Sequence, residues 1–153
     1  MRAIGALIGL LLLGFSAGAA AQAPAPAQVL GRWLTESKRG VVEIYRCGDG
    51  LCGKLVWMIQ PIRRGAPAAD DKNPNPQLRA QPLCGLMMLG NFHASEPQRW
   101  TGGWIYDPDS GDTYHATLFL ESAGVLKLRG YVGIPLFGET QTWTRPDGRY
   151  GSC

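Results

Sequence analysis

The chain has 153 residues, with 15 Lys and Arg against 12 Asp and Glu, for a formal net charge of +3. The basic residues are scattered among acidic ones and form no run that would track a phosphate backbone, so nucleic acid is excluded as an expected partner. With an N-terminal leader set aside, roughly 130 residues remain, enough for one domain with one core and too few for two.

The leader is read from Arg2, the apolar run from Ala3 to Phe15 and the small residues Ala19-Ala20-Ala21, the order of a secretory signal peptide. Cleavage is expected after Ala21, leaving a periplasmic or secreted protein whose formal charge, without Arg2, drops from +3 to +2. The apolar run is short for a bilayer span and no cysteine follows the small residues to accept a lipid. No transmembrane segment is therefore expected after cleavage. Residues 22–28 read as an Ala/Pro linker, extended and without core-forming side chains, and residues 29–153 as the folded domain.

From Val29 onward the chain is a series of short β-type runs separated by Gly, Pro and Asp clusters, with no helical apolar period. Strands are predicted at 31–36, 41–47, 52–59, 85–92, 100–106, 113–121, 125–132 and 139–145. In the sixth, Tyr114, Ala116, Leu118 and Leu120 share one face and Thr113, His115, Thr117 and Phe119 the other. In the seventh, Leu126, Leu128, Gly130 and Val132 oppose Val125, Lys127, Arg129 and Tyr131. Most connections are hairpin turns, such as Ser37-Lys38-Arg39-Gly40 and Ser122-Ala123-Gly124, so sequence neighbours pair in space. An all-β fold follows: a single antiparallel up-and-down β-barrel of about eight strands, whose closure removes both exposed edges.

One connection differs. Residues 60–83 hold five of the eleven prolines, and a loop this long in a compact domain belongs at a barrel mouth. There Asp70, Asp71, Lys72, Asn73 and Arg79 would form a polar lid.

All four cysteines, Cys47, Cys52, Cys84 and Cys153, fall in the exported part, where disulfides are favoured over metal ligation. Cys47 and Cys52 flank the turn Gly48-Asp49-Gly50-Leu51 and are expected to pair across it. Cys84 and Cys153 then either close a long bridge or remain thiols. No metal site is expected: the one C-x4-C has no histidine near it, and Asp107-x-Asp109 with Gly111 and Asp112 lacks the last carboxylate of a calcium loop and reads as a turn.

Gly31-x-Trp33 on the first strand and Arg145 at the end of the last resemble the bracket motif of the lipocalins and their calycin relatives. That resemblance implies that Trp33 sits beneath Arg145 at the closed end of the barrel and that Gly31 permits the close approach. A longer resemblance runs through Cys52-Gly53-Lys54-Leu55-Val56-Trp57, Asn73-Pro74, Pro82-Leu83-Cys84-Gly85-Leu86, Trp100-Thr101-Gly102-Gly103-Trp104-Ile105-Tyr106-Asp107-Pro108, Leu128-Arg129-Gly130-Tyr131-Val132-Gly133 and Phe137-Gly138-Glu139-Thr140-Gln141-Thr142-Trp143-Thr144-Arg145. Over nearly the whole mature chain it is similar to the bacterial exported family called domain of unknown function 2147. The resemblance implies an exported small β-barrel and brings no substrate, cofactor or catalytic residue with it.

No catalytic constellation is visible, and no cofactor is expected. Candidate ligand-binding residues are the strand aromatics Trp57, Trp104, Tyr106 and Tyr114, with Trp100 as a further wall residue, and Asp71, Asn73 and Arg79 from the loop. Charges within strands, Glu43, Arg129 and Glu139, are expected to face outward. The leading expectation is uptake of a small apolar or amphipathic molecule at the open mouth. The alternatives are a filled barrel that docks another envelope protein, and an enzyme, hydrolase or isomerase, using Asp70, Asp71 or His115 in that mouth.

Overall fold

The computed structural model describes residues 28–153, so the leader and residues 22–27 of the linker lie outside the described residues. The strands are β1 (Gly31–Leu34), β2 (Gly40–Cys47), β3 (Gly50–Met58), β4 (Ile62–Arg63), β5 (Ala66–Pro67), β6 (Met87–Glu96), β7 (Arg99–Asp107), β8 (Asp112–Ser122), β9 (Val125–Tyr131) and β10 (Gly138–Thr144). Eight of them close one antiparallel barrel in the order β1-β10-β9-β8-β7-β6-β3-β2, and β4 with β5 makes a small separate hairpin. Each predicted strand coincides with a barrel strand, with shifted ends: the first stops at Leu34, and the fourth starts at Met87 and runs on to Glu96.

Alternation fills the barrel as the sequence pattern dictates. Ala116, Leu118 and Leu120 of β8, Leu126 and Leu128 of β9, and Val42 and Ile44 of β2 all enter the buried core with Trp33, Phe92, Trp100 and Trp143. β2 is rich in β-branched residues, which suit a pleated wall. In β7 a register shift lies between Trp100 and Gly103, with Gly102 at φ +74°. The bulge changes the phase, so Trp100 and Ile105 pack on the core while Trp104 lies against Gly90 on the outer wall.

One end of the barrel carries the starts of β1, β3, β7 and β9 and is plugged. The indole of Trp33 is fully buried and donates to the Val29 carbonyl at 2.8 Å. The Arg145 guanidinium stands 3.7 Å from the centre of that ring. It donates to the carbonyls of Leu30 at 3.1 Å, Arg32 at 3.0 Å and Ala123 at 3.2 Å, and also to Gln28. Gly31 has φ +98°, a conformation that L side chains avoid, so its glycine answers to backbone shape as well as to the nearby arginine.

Both disulfides are formed, Cys47–Cys52 across the β2–β3 turn and Cys84–Cys153. The second anchors a tail that runs from Arg145 along the outside of the barrel. There Arg32 donates to the Tyr150 and Gly151 carbonyls at 3.0 and 2.9 Å, the Tyr150 ring meets Trp57 edge-on at 4.7 Å, and the Cys153 amide reaches the Val56 carbonyl at 2.8 Å.

β1 is short, and it meets β10 at one register pair, Leu34 with Thr144. Above that pair the Thr142 amide donates to the Glu36 carboxylate at 2.6 Å.

Candidate functional site

The end opposite the plug is open. A cavity of about 840 Å³ enters there and runs down to the core. Its inner wall is apolar and aromatic: Val42, Leu55, Met88, Ile105 and Leu128, with Trp143 deepest on β10. Inward-facing Gly130 leaves room at the wall, for a β-carbon built there would touch Ile105 and Tyr114 only at 3.7 and 3.8 Å. The β1–β2 turn, the start of the β3–β6 connection, the β7–β8 turn and the β9–β10 loop form the rim, contributing Arg39, Arg63, Asp107, Asp109, Val132 and Phe137.

Inward spacing along β10 continues from Trp143 to Gln141 and Glu139, and both line the cavity. Gln141 accepts the Trp143 indole N–H at 2.9 Å. Glu139 therefore departs from the expected outward placement: the strand's phase is fixed by burial of Trp143, and Glu139 lies near the mouth where water reaches it. Glu43 and Arg129 do face outward. Glu43 lies 3.4 Å from Lys54, and Arg129 donates to the Pro135 carbonyl at 2.6 Å and to Thr140 Oγ1 at 2.9 Å.

The long connection is folded, with its own hairpin and a bridge between Ala69 and Pro82. Its hub is Asp70, fully buried, whose carboxylate accepts Tyr106 Oη at 2.6 Å, Asn73 Nδ2 at 2.7 Å and Gln81 Nε2 at 3.1 Å. Burial, then the hydrogen bond to Asp70 and its charge, pushes the Tyr106 hydroxyl up from 10.0 to about 12. Next to the hub, Lys72 donates to the Asp109 carbonyl and its own carbonyl packs over Gly111 of the β7–β8 turn. Tyr106 thus fastens the connection to the barrel across one side of the mouth.

Of the aromatic candidates, Tyr106 and Tyr114 line the cavity, whereas Trp57 lies under the tail and Trp104 on the outer wall. The loop candidates are elsewhere: Asp71 borders a separate depression with Arg63 and Arg64, Asn73 belongs to the Asp70 network, and Arg79 donates to the Asn73 carbonyl at 2.7 Å. Asp70, Asp71 and His115 do not converge, since His115 stands on the outer wall beside Tyr131. Asp107 spends its carboxylate inside its own turn, accepting the Asp109 amide and the Ser110 hydroxyl. Sequence reasoning passed over Trp143, Gln141 and Glu139 as wall residues, although counting by twos back from the buried tryptophan would have found them.

A closed eight-stranded antiparallel barrel, plugged at one end by a tryptophan under an arginine and hollow at the other, is a lipocalin-like fold. Protein HP1028 from the human pathogen Helicobacter pylori, which belongs to the lipocalin family, matches with a TM-score of 0.68 at 21% identity, over 78% of this chain and 84% of that one. At that identity the likeness establishes a shared fold. Residues 31–145 match the family model described as uncharacterized protein conserved in bacteria, DUF2147, and the chain belongs to that family. No curated protein matches it.

Proposed function

We propose that the mature protein is an exported carrier that holds one small apolar or amphipathic molecule in the barrel cavity, its apolar part against Leu128, Ile105 and Trp143 and its polar end among the rim charges. The observation that carries this reading is the cavity itself: about 840 Å³, apolar below and with charged residues among those at its mouth, within the range of roughly 300–1,000 Å³ typical of small-molecule sites. The filled-barrel alternative required an interior without room for a ligand, and the cavity weighs against it. Export is supported by the two disulfides, which persist in oxidising compartments.

The test is a tryptophan-fluorescence titration with fatty acids, retinoids and aromatic probes, alongside native mass spectrometry of protein purified from its exported compartment. Trp143 in the wall should report saturable binding. Gly130→Leu, which fills the space beside Ile105, should weaken it at least tenfold while keeping the barrel folded. A wild-type protein that carries nothing and responds to none of these probes would overturn the proposal.

A further inference from the structure

The rim is chemically divided. Of the eight exposed large hydrophobic residues among those described, six stand on two segments beside the mouth: Ile59 and Ile62 on the β3–β6 connection, and Val132, Ile134, Leu136 and Phe137 on the β9–β10 loop. Leu136 and Phe137 are 75% and 72% exposed. They are kept out by construction, because Arg129 on the outer wall braces the loop through the Pro135 and Leu136 carbonyls and Thr140.

Between these lips, in barrel order, lies the β1–β2 turn, tied to the β3–β6 connection by the Ile59 amide on the Arg39 carbonyl at 3.0 Å. This half of the mouth carries Lys38 and Arg39 on that turn and Arg63 and Arg64 at the β4–β5 hairpin. None of the four has an acidic partner within 4.0 Å among the described residues. Lys38 and Arg64 also hold φ of 58° and 53°, where Gly or Asn costs less. Of the carboxylates on this half, Glu36 is engaged by the Thr142 amide, Glu139 faces the cavity, and Asp71 shares a depression with Arg63 and Arg64 without coming within ion-pair distance of either. The acidic residues Asp107, Asp109 and Asp112 lie across the mouth, on the β7–β8 turn and the strand end beside it.

We propose that the basic, apolar half of the mouth docks on an anionic phospholipid bilayer, with Ile62, Ile134, Leu136 and Phe137 entering the acyl boundary and the four cations meeting the headgroup phosphates. Charge complementarity favours this occupant. So does shape: two projecting lips around an open hole suit a soft surface, whereas a rigid protein partner would have to plug the cavity. The inference goes beyond ligand binding, since it needs no molecule inside the barrel. It gives the cavity an entrance held against the membrane.

The experiment is co-sedimentation of the mature protein with vesicles of phosphatidylcholine, with and without phosphatidylglycerol. Wild type should bind the anionic vesicles more strongly, and salt should weaken the binding. Lys38→Asn with Arg64→Asn removes two charges while suiting the left-handed backbone. It should lower partitioning about tenfold or more without loss of thermal stability. Ile62→Ser with Ile134→Ser should reduce binding to both vesicle types. None of these four residues lines the cavity, so the fluorescence titration is read separately and either proposal can fail alone. Absence of binding to anionic vesicles, or equal binding by all three proteins, would overturn the docking proposal. So would a wild-type dimer in mass photometry that both double variants abolish, for a second copy would then be the occupant.

Discussion

Arg145 does two jobs at one position, covering the Trp33 ring and supplying donors to four carbonyls at the plugged end. Arg145→Ala should cost about 2–3 kcal/mol in denaturant unfolding, and Arg145→Lys should recover little of it, because an ammonium can neither cover the indole nor reach four acceptors. Ligand affinity of the folded variant should be nearly unchanged; lost affinity at full stability would mean that the ligand enters by the other end. Tyr106 makes a pH prediction. An unfolded tyrosine titrates near 10.0 and the folded one near 12, so over that interval the native state keeps a proton that the unfolded state releases. Stability due to this group is complete below pH 10 and is lost as the pH rises towards 12. Tyr106→Phe should flatten that alkaline decline and, at neutral pH, cost about 1–3 kcal/mol by removing a donor from buried Asp70. Denaturant midpoints across the alkaline range, with a tyrosinate absorbance titration, check both signs. The Trp33–Arg145 pair was legible in the sequence because the motif is local at each end. The Asp70–Tyr106 bond was not, since its partners stand 36 residues apart on segments that share no periodicity.

At the scale of elements, alternation and turn chemistry were enough to place all eight barrel strands. They misled where a strand changes phase. Unbroken alternation groups Trp104 with Trp100, but left-handed Gly102 inserts a step and sends Trp104 outside, so an aromatic expected in the wall covers Gly90 instead. The long connection likewise lacked any pattern that would reveal its docking, which depends on Gly111. That residue has φ +84°, and a β-carbon there would lie 2.2 Å from the Lys72 carbonyl oxygen. Gly111→Ala should push the connection off the β7–β8 turn. Amide exchange in residues 68–73 should then speed up while the barrel strands stay protected. Unchanged exchange there would show that the Asp70 network alone holds the segment.

For the whole molecule, the covalent ties differ in reach. Cys47–Cys52 spans 5 residues and Cys84–Cys153 spans 69, a loop containing β6 to β10. Chain-entropy reasoning assigns about 2 kcal/mol to the first closure and about 4 kcal/mol to the second. Cys84→Ser with Cys153→Ser should accordingly lower the thermal midpoint more than Cys47→Ser with Cys52→Ser, in scans of the two purified double variants. The short pairing was readable from its turn, while the long one was left open because a bridge of that span depends on where the tail runs. The tail runs there because Arg32 and Trp57 receive it.

The hoop of the barrel has one weak stave. Where β1 gives out after Leu34, the upper half of β10 is joined to its neighbour by the Glu36 carboxylate in place of a strand ladder. A guest too broad for the cavity would spread the wall along that seam, at the expense of a side-chain latch and without tearing a ladder. For the ligand proposed above, this joint is the place where the wall has least backbone pairing to resist widening.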